Sequence, residues 1–337
     1  MDIAVVILNW NGLKMLQTYL PDLVARTTCC GAFVVVADNG STDGSVEWLQ
    51  AEWPAVKLIR FDQNYGFTGG YNRAFREIDA DYYVLINSDV RVSQGWLEPL
   101  IGFMEENPDV GVCQPKILSV AAPDTFEYAG AAGGFIDKFG YPFCRGRILS
   151  NLEKDTGQYD APEECFWATG ACMVVRSALY HHLGGLDELF FAHMEEIDFC
   201  WRAKLLGYQV WCVPASTVWH VGGGTLPNNS PRKLYFNYRN NLLMLYKNLP
   251  DRIRRRRIFV RMCLDGASAL IYLLTGRWSF FQSVWTAHRD YRRLRREVDP
   301  SPFEEERNNI GLYDGSIVLK FFLSRKKLRW SDIEREL

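Results

Sequence analysis

Along the first third of the chain, short runs of apolar, β-branched residues alternate with longer segments whose apolar positions recur at helical spacing. The runs predict strands over residues 3–8, 33–37, 56–61 and 83–87, and the spaced segments predict helices over 13–26, 45–53 and 67–78. Near-continuous apolar strands need cover on both faces, and strands separated by helices return in the same direction. The pattern therefore predicts an α/β fold, with a mostly parallel sheet flanked by helices. In such sheets, ligands bind at the loops that follow the strand carboxyl ends. Predicted strands here run into polar clusters: Asn9-Trp10-Asn11-Gly12, Asp38-Asn39-Gly40-Ser41-Thr42-Asp43, and Asn87-Ser88-Asp89.

Beyond a predicted helix at 96–106 the periodicity loosens. Residues 119–165 are rich in Gly, Ala, Asp and Pro and read as a long loop region that shapes a pocket. Order returns with 166–176, a helix at 194–206 and a strand at 209–213. From 232 onward the pattern is helical, over 233–247, 254–274 and 278–296, which divides the chain at about 231.

Composition narrows the classes. Of 337 residues, 48% are hydrophobic, enough for one large α/β domain with an appendage or for two ordinary domains. A net charge of −2 gives no overall attraction to nucleic acid, so no nucleic-acid partner is expected. The charge is uneven, however. Residues 251–299 hold 12 arginines against five acidic residues, around an apolar and aromatic centre. Cationic ends about such a centre fit an interfacial helix pair on a membrane surface. The same faces also fit packing on the rest of the chain, or on a second subunit of a homo-oligomer. The longest later apolar stretch, 266–275, is about half of what a spanning helix needs. Nine scattered cysteines without a CxxC spacing argue against a disulfide framework or zinc finger and suit a reducing compartment. Residues 3–8 lack a basic flank and a cleavage site, so a cytosolic protein is expected.

Several residues carry candidate chemistry. Asp38 either begins a turn into a capped helix or accepts hydrogen bonds from a nucleoside. The turn containing Gly66, Gly69 and Gly70 lets backbone approach a ligand closely, although it is not the dinucleotide-binding GxGxxG. Asp89 ends a buried run in an acid, which fits a divalent cation beside a diphosphate as well as a solvated turn. Glu195, Glu196 and Asp198 lie on one predicted helix, with Arg202 one turn beyond Asp198. They are a solvated acidic face or, between the aromatics Phe190, Phe191, Phe199 and Trp201, a semi-buried base with tuning neighbours. His220 is a structural histidine or, beside Gly222-Gly223-Gly224-Thr225, part of a phosphate or metal site.

In this order, the residues resemble the family 2 glycosyltransferases of the GT-A fold, in particular the rhamnosyltransferase-like branch. The resemblance covers about residues 3–248. It rests on Val5-Val6-Ile7-Leu8-Asn9-Trp10-Asn11, on Asp38 to Ser45, on Asn64-Tyr65-Gly66-Phe67 with Gly70 and Asn72, and on Asn87-Ser88-Asp89. It continues through Thr169-Gly170-Ala171, Glu195-Glu196-Ile197-Asp198 with Trp201-Arg202, His220 with Gly223 and Thr225, and Tyr238-Arg239-Asn240-Asn241. The resemblance implies a Rossmann-like catalytic domain over 1–231, with a nucleotide-binding half at 1–100 and an acceptor half at 101–231. A C-terminal helical extension over 232–337 follows.

It also implies inverting transfer of a sugar from a nucleotide-diphospho-sugar, with dTDP-rhamnose as the donor of this branch. The acceptor is a saccharide or a lipid-linked saccharide in cell-surface polysaccharide synthesis, at the cytoplasmic face of the inner membrane. Asn9, Asn11, Asp38, Asn39, Gly66, Asn72, Asn87 and Ser88 then bind the donor, and Gly170, Ala171, Asp198 and Arg202 the acceptor. Asp89 and His220 hold Mg²⁺ or Mn²⁺. Glu196 is the base, with Glu195 as its competitor. Asn87 stands where the family's DxD motif has its first acid, and Glu196 where the family has Asp. Two rivals are a sugar-phosphate nucleotidyltransferase and a non-catalytic nucleotide-sugar binding module. The first would want a cationic glycine-rich loop after the first strand, which Asn9-Trp10-Asn11-Gly12 does not supply. The second would not need the acids at 195–198.

Overall fold

A computed structural model describes residues 1–27, 31–222, 230–300, 311–325 and 327–336. The predicted strands form as β1 (Ile3–Asn9), β2 (Ala32–Asp38), β3 (Lys57–Arg60) and β4 (Tyr82–Ile86), with α1 (Leu13–Arg26), α2 (Ser45–Glu52) and α3 (Gly66–Arg76) between them. Strand β1 is buried along nearly its whole length because both of its faces are covered. Ile3, Val5 and Ile7 pack toward Leu16, Leu20 and Leu100 on one side. Ala4 and Val6 pack toward Tyr71, Phe75 and Trp201 on the other. Alternation along a strand thus divides one apolar run between two cores.

The sheet continues through β5 (Val90–Val92), β6 (Val110–Ser119), β11 (Glu163–Cys165), β12 (Cys172–Arg176) and β13 (Gln209–His220). Its order is β11-β13-β6-β12-β4-β1-β2-β3, with β5 beside β13. Strands β1 to β4 are mutually parallel, whereas β12 runs antiparallel between β4 and β6. Reversal of β12 brings its start to the edge where β1, β2 and β4 end, since Cys172 pairs with Ile86. That edge carries the polar clusters. Strand β13 outruns its predicted end at Val213: the register shifts between Val213 and Thr217, around Pro214, and pairing then resumes to His220.

Residues 119–165 are not the expected long loop. They hold a small antiparallel sheet of β7 (Gly134–Ile136), β8 (Pro142–Cys144), β9 (Arg147–Ile148) and β10 (Asn151–Leu152). Phe126, Phe143 and Ile148 are buried within this region, and Trp330 packs against Phe135 with ring centroids 4.5 Å apart.

After α4 (Glu98–Glu106), α5 (Ser177–His182) and α6 (Glu195–Leu205) come the long helices α7 (Pro231–Asn248), α8 (Asp251–Leu274) and α9 (Trp278–Leu294), then α10 (Ile317–Leu323). The expected division near 231 is not a gap in packing. Leu242, Leu243 and Leu245 of α7 share a core with Val6 and Leu85 of the sheet.

Candidate active site

The carboxyl edge of β1 and β2 is knit by short polar side chains. Asn9 is the register partner of Asp38, and its Nδ2 donates to Asp38 Oδ2 at 2.9 Å and to Ser41 Oγ at 3.2 Å. The amide of Ser41 donates to Asp38 Oδ1 at 2.9 Å. Asn11, at a φ of 51°, gives its amide to Ser41 Oγ and accepts from the Thr42 amide at 2.8 Å. Asn39 turns the other way. Its Nδ2 donates to the Gly66 carbonyl at 3.0 Å and its Oδ1 accepts from the Tyr65 amide, which fastens the glycine-rich turn to the end of β2.

Gly66 is required at its position. Its φ is 75°, and a Cβ there would lie 2.7 Å from the carbonyl oxygen of Phe191. That oxygen accepts from the Phe67 amide at 2.7 Å and from the Thr68 amide at 3.3 Å, capping α3. Gly170 closes against Phe67, and the Asn87 amide donates to the Ala171 carbonyl at 3.0 Å. The start of β12 therefore lines the same edge. Ser88 lies beside Gly12 in the turn after β1.

His220, ending β13, stands between two carboxylates. Its Nε2 is 3.2 Å from Asp89 Oδ1, and its Nδ1 is 3.5 Å from Glu127 Oε2. Burial disfavours the imidazolium, but Asp89 and Glu127 outweigh it and push the pKa up to about 9. Burial likewise opposes the Glu127 carboxylate, yet His220 and nearby backbone amides hold it below its usual range. In this geometry His220 is the charge partner of both Asp89 and Glu127. Gly223 and Thr225 lie outside the described residues.

Among the described residues, no three His, Cys, Asp or Glu side chains converge as a metal cage. The donor set fits instead a hard cation that takes one carboxylate, Asp89, and completes its shell from phosphate oxygens and water.

Lys233 acts both on Glu127 of this cluster and on Glu196, the second residue of acidic helix α6. Asp198 and Arg202 do not line the edge. Asp198 is fully buried and pairs with Arg202 Nε at 2.8 Å and Lys247 Nζ at 3.0 Å, and it accepts from Asn248 at 2.8 Å. Burial would raise its pKa, but Lys247 and Arg202 bring it below the usual carboxylate range. Arg202 also donates to the carbonyls of Leu183 and Gly185. Asn72 is similarly committed, accepting from Tyr180 Oη and the Leu186 amide and donating to the Leu186 carbonyl. These three fasten elements together, which corrects their expected contact with acceptor or donor.

Glu195 and Glu196 are different. Burial, with Glu196 as neighbour, raises Glu195 well above the ordinary range. Glu196 is partly accessible. Burial raises its pKa to about 7, against the pull of the backbone amides of Glu196, Ile197 and Met194 and of the Lys233 ammonium. The loop before it is strained: Phe191, His193 and Met194 have φ of 64°, 71° and 72°, each costing about 1–3 kcal/mol outside glycine.

Nine buried side-chain polar atoms accept or donate no hydrogen bond among the described residues, and six belong to Asn9, Thr68, His193, Glu195, Glu196 and His220. Such atoms are rare in folded proteins, so their concentration at the strand ends, helix starts and loop of this region suits a surface completed by a ligand. Glu127 and Lys233 were not among the sequence candidates. Glu127 lay in the segment read as loop, and Lys233 opened a helix with nothing local to single it out.

Residues 4–183 match the family described as glycosyl transferase family 2. The N-acetylglucosaminyl-diphospho-decaprenol L-rhamnosyltransferase of Mycobacterium tuberculosis is 27% identical over 236 residues, 65% of this chain and 75% of that protein. The low-salt glycan biosynthesis hexosyltransferase Agl10 of Haloferax volcanii is 22% identical over 261 residues, 75% of this chain and 79% of its own length. Among solved structures, S. aureus TarS 1-349 in complex with UDP-GlcNAc superposes with a TM-score of 0.53 at 15% identity, covering 87% of this chain and 92% of that one. The family match also sets aside the nucleotidyltransferase and the non-catalytic module. With its GT-A architecture and more than half its length inside the family's boundaries, the chain is a glycosyltransferase and belongs to glycosyl transferase family 2.

Proposed function

We propose that the enzyme moves a sugar, with inversion, from a nucleotide-diphospho-sugar to a hydroxyl of a saccharide or lipid-linked saccharide acceptor. The observation that carries this reading is Glu196, whose pKa of about 7 suits a general base at neutral pH and whose Oε2 has no hydrogen-bond partner among the described residues. Burial and the neighbouring Glu196 carboxyl raise Glu195 further, which disfavours it as the base. Asp38, with the unpartnered Oδ1 of Asn9 beside it, receives the nucleoside together with Asn11. Asn39 and Gly66 shape the donor turn, and Gly170 and Ala171 form the floor beside Asn87 and Ser88.

Asp89 holds Mg²⁺ or Mn²⁺, and when bound the cation neutralises the departing diphosphate. His220, poised by Glu127, keeps Asp89 oriented. The comparison proteins favour the same chemistry, since TarS was solved with UDP-GlcNAc and a GT-A mannosyltransferase of Pyrobaculum calidifontis with GDP-Man and Mn²⁺. The rhamnosyltransferase named above supports dTDP-rhamnose as donor and a polyprenyl-diphosphate saccharide as acceptor.

A lipid-linked acceptor is favoured by the helical extension. No described helix is long and apolar enough to cross a membrane. Helices α8 and α9 nevertheless expose Leu270, Ile271, Leu274, Trp278 and Trp285 at one end. That end adjoins the start of α7 through a cleft lined by Pro231, Arg232 and Tyr235 on one side and Ser279, Gln282 and Ser283 on the other. Lys233, which acts on Glu196, is on the same turn. The test is a donor panel of dTDP-rhamnose, UDP-N-acetylglucosamine and GDP-mannose with Mg²⁺ or Mn²⁺, read by thermal shift and by release of nucleoside diphosphate. A panel without any stabilisation or turnover would overturn the reading.

A further inference from the structure

Asn240, in the middle of α7, has no exposed surface. Its Nδ2 lies 2.9, 2.8 and 2.7 Å from the carbonyl oxygens of Phe190, Ala192 and His193. Its Oδ1 accepts a 2.8 Å bond from Arg239 Nε, which fixes the amide end toward those carbonyls. Arg239 Nη2 donates to the carbonyls of Leu189 and Phe190 at 3.0 and 2.9 Å. The remaining carbonyl of the stretch, Phe191, is held by the amides at the start of α3. Every carbonyl from 189 to 193 is therefore bonded, in a loop whose φ values at Phe191, His193 and Met194 belong to glycine.

The peptide group between His193 and Met194 is planar and trans, so a donor that fixes its C=O also fixes the direction of its N–H. Met194 is the N-cap of α6, so the plane of this peptide sets how that helix, with Glu196 as its second residue, enters the site. The carboxylate Oε2 of Glu196 has no hydrogen-bond partner among the described residues. We propose that Asn240, locked by Arg239, is the positioning residue of the base. It holds the His193–Met194 peptide, and with it the start of α6, so that the Glu196 carboxylate keeps its place with Oε2 free for the acceptor hydroxyl. The inference rests on Glu196 being that base, and it assigns to α7 a role in the chemistry as well as in packing.

Asn240→Asp keeps the side-chain shape but turns an oxygen toward three carbonyls. With dTDP-rhamnose, UDP-N-acetylglucosamine or GDP-mannose, whichever is turned over, and water as acceptor, kcat should fall about 10- to 100-fold. Donor KM should stay within about threefold, because Asp38, Asn39 and Asp89 stand on other elements and Phe191 remains bonded to α3. Unchanged kcat, or kcat and donor KM shifting in step, would overturn the proposal. If Asn240→Asp does not fold, Arg239→Lys decides in its place. It keeps the charge but loses the planar fork, and the same split with a fall of about tenfold is expected. Glu196→Gln is assayed alongside. Full activity of that variant would remove the base assignment, and a wild type inactive on all three donors would remove the transfer reading. Either result takes the positioning role down with it, and both differ from an active wild type whose Asn240→Asp variant is unimpaired.

Discussion

His220 Nε2 lies 3.2 Å from Asp89 Oδ1, and this contact joins the last residue of β13 to the turn that follows β4. The same nitrogen is 3.3 Å from Asn87 Nδ2, while the opposite ring nitrogen faces Glu127. One imidazolium between two carboxylates leaves the cluster negatively charged. A diphosphate arriving there meets repulsion unless a cation comes with it.

Replacing Asp89 with Asn keeps a polar side chain beside His220 but removes the charge a divalent ion needs. Stabilisation of the protein by a nucleotide sugar should then no longer depend on Mg²⁺ or Mn²⁺, while stabilisation by the free nucleoside, which relies on Asp38, persists. Thermal shift titrations with and without a chelator read both. Equal wild-type turnover in chelator and in metal would take the cation out of the mechanism.

Glu196 must be ionised to accept a proton, and its pKa is about 7. Turnover should therefore rise with pH through about 7 and level off above it. Glu196→Gln should lower kcat by about 10²–10⁴-fold with donor binding nearly intact. The same group sets a stability trend. A carboxyl with a folded-state pKa raised above its unfolded value of 4.5 stabilises fully below that value, and the contribution is lost as pH rises through about 7. The Gln variant should accordingly melt higher than wild type at pH 8 and no higher at pH 4. A melting difference independent of pH would contradict the shifted carboxyl.

The nucleotide-binding half was legible because its strands are long, apolar and buried on both faces, so periodicity alone located β1, β2 and β4 to within a residue or two. Asp38 and Asp89 were legible as polar residues at the ends of those strands. The small sheet of β7 to β10 was not, since strands of two or three residues are too short for alternation to register. Glu127 was hidden for the same reason. Asp198 and Arg202 were misassigned because helical spacing puts them on one face without saying which neighbour covers it. Here that neighbour is Lys247, 49 residues further along the chain.

Asp198 bonds Arg202, Lys247 and Asn248 from a fully buried position. Asp198→Ala would leave two cations and an amide facing a cavity, a loss of about 3–5 kcal/mol. A large fall in the denaturation midpoint is expected, with donor KM unchanged in whatever fraction remains folded at low temperature. A variant as stable as wild type but inactive would return Asp198 to the catalytic machinery.

The last expectation concerns the tip of the α8–α9 hairpin. Tyr246 meets both the Arg254 guanidinium and the Tyr291 ring, so the basic ends of the two helices converge there. The turn between them carries the exposed Leu274 and Trp278, which are 76% and 56% accessible. Most of the arginines thus gather at one end, while the tip carries the tryptophans with Arg277 stacked on Tyr272 and Phe280, instead of cationic ends flanking a helix pair that lies flat. A tip of this kind inserts shallowly, and only the basic side chains that reach the headgroups add the ~1 kcal/mol expected of each. Binding to anionic vesicles should therefore depend more on the apolar tip than on salt. The full chain should float with phosphatidylglycerol vesicles. Trp278→Ser with Trp285→Ser should abolish flotation, and Arg292→Gln with Arg293→Gln should weaken it only modestly. A wild-type chain that stays in the soluble fraction at low salt would end the membrane reading. Flotation lost with the arginine pair but kept by the tryptophan pair would move the contact to the other end of the hairpin.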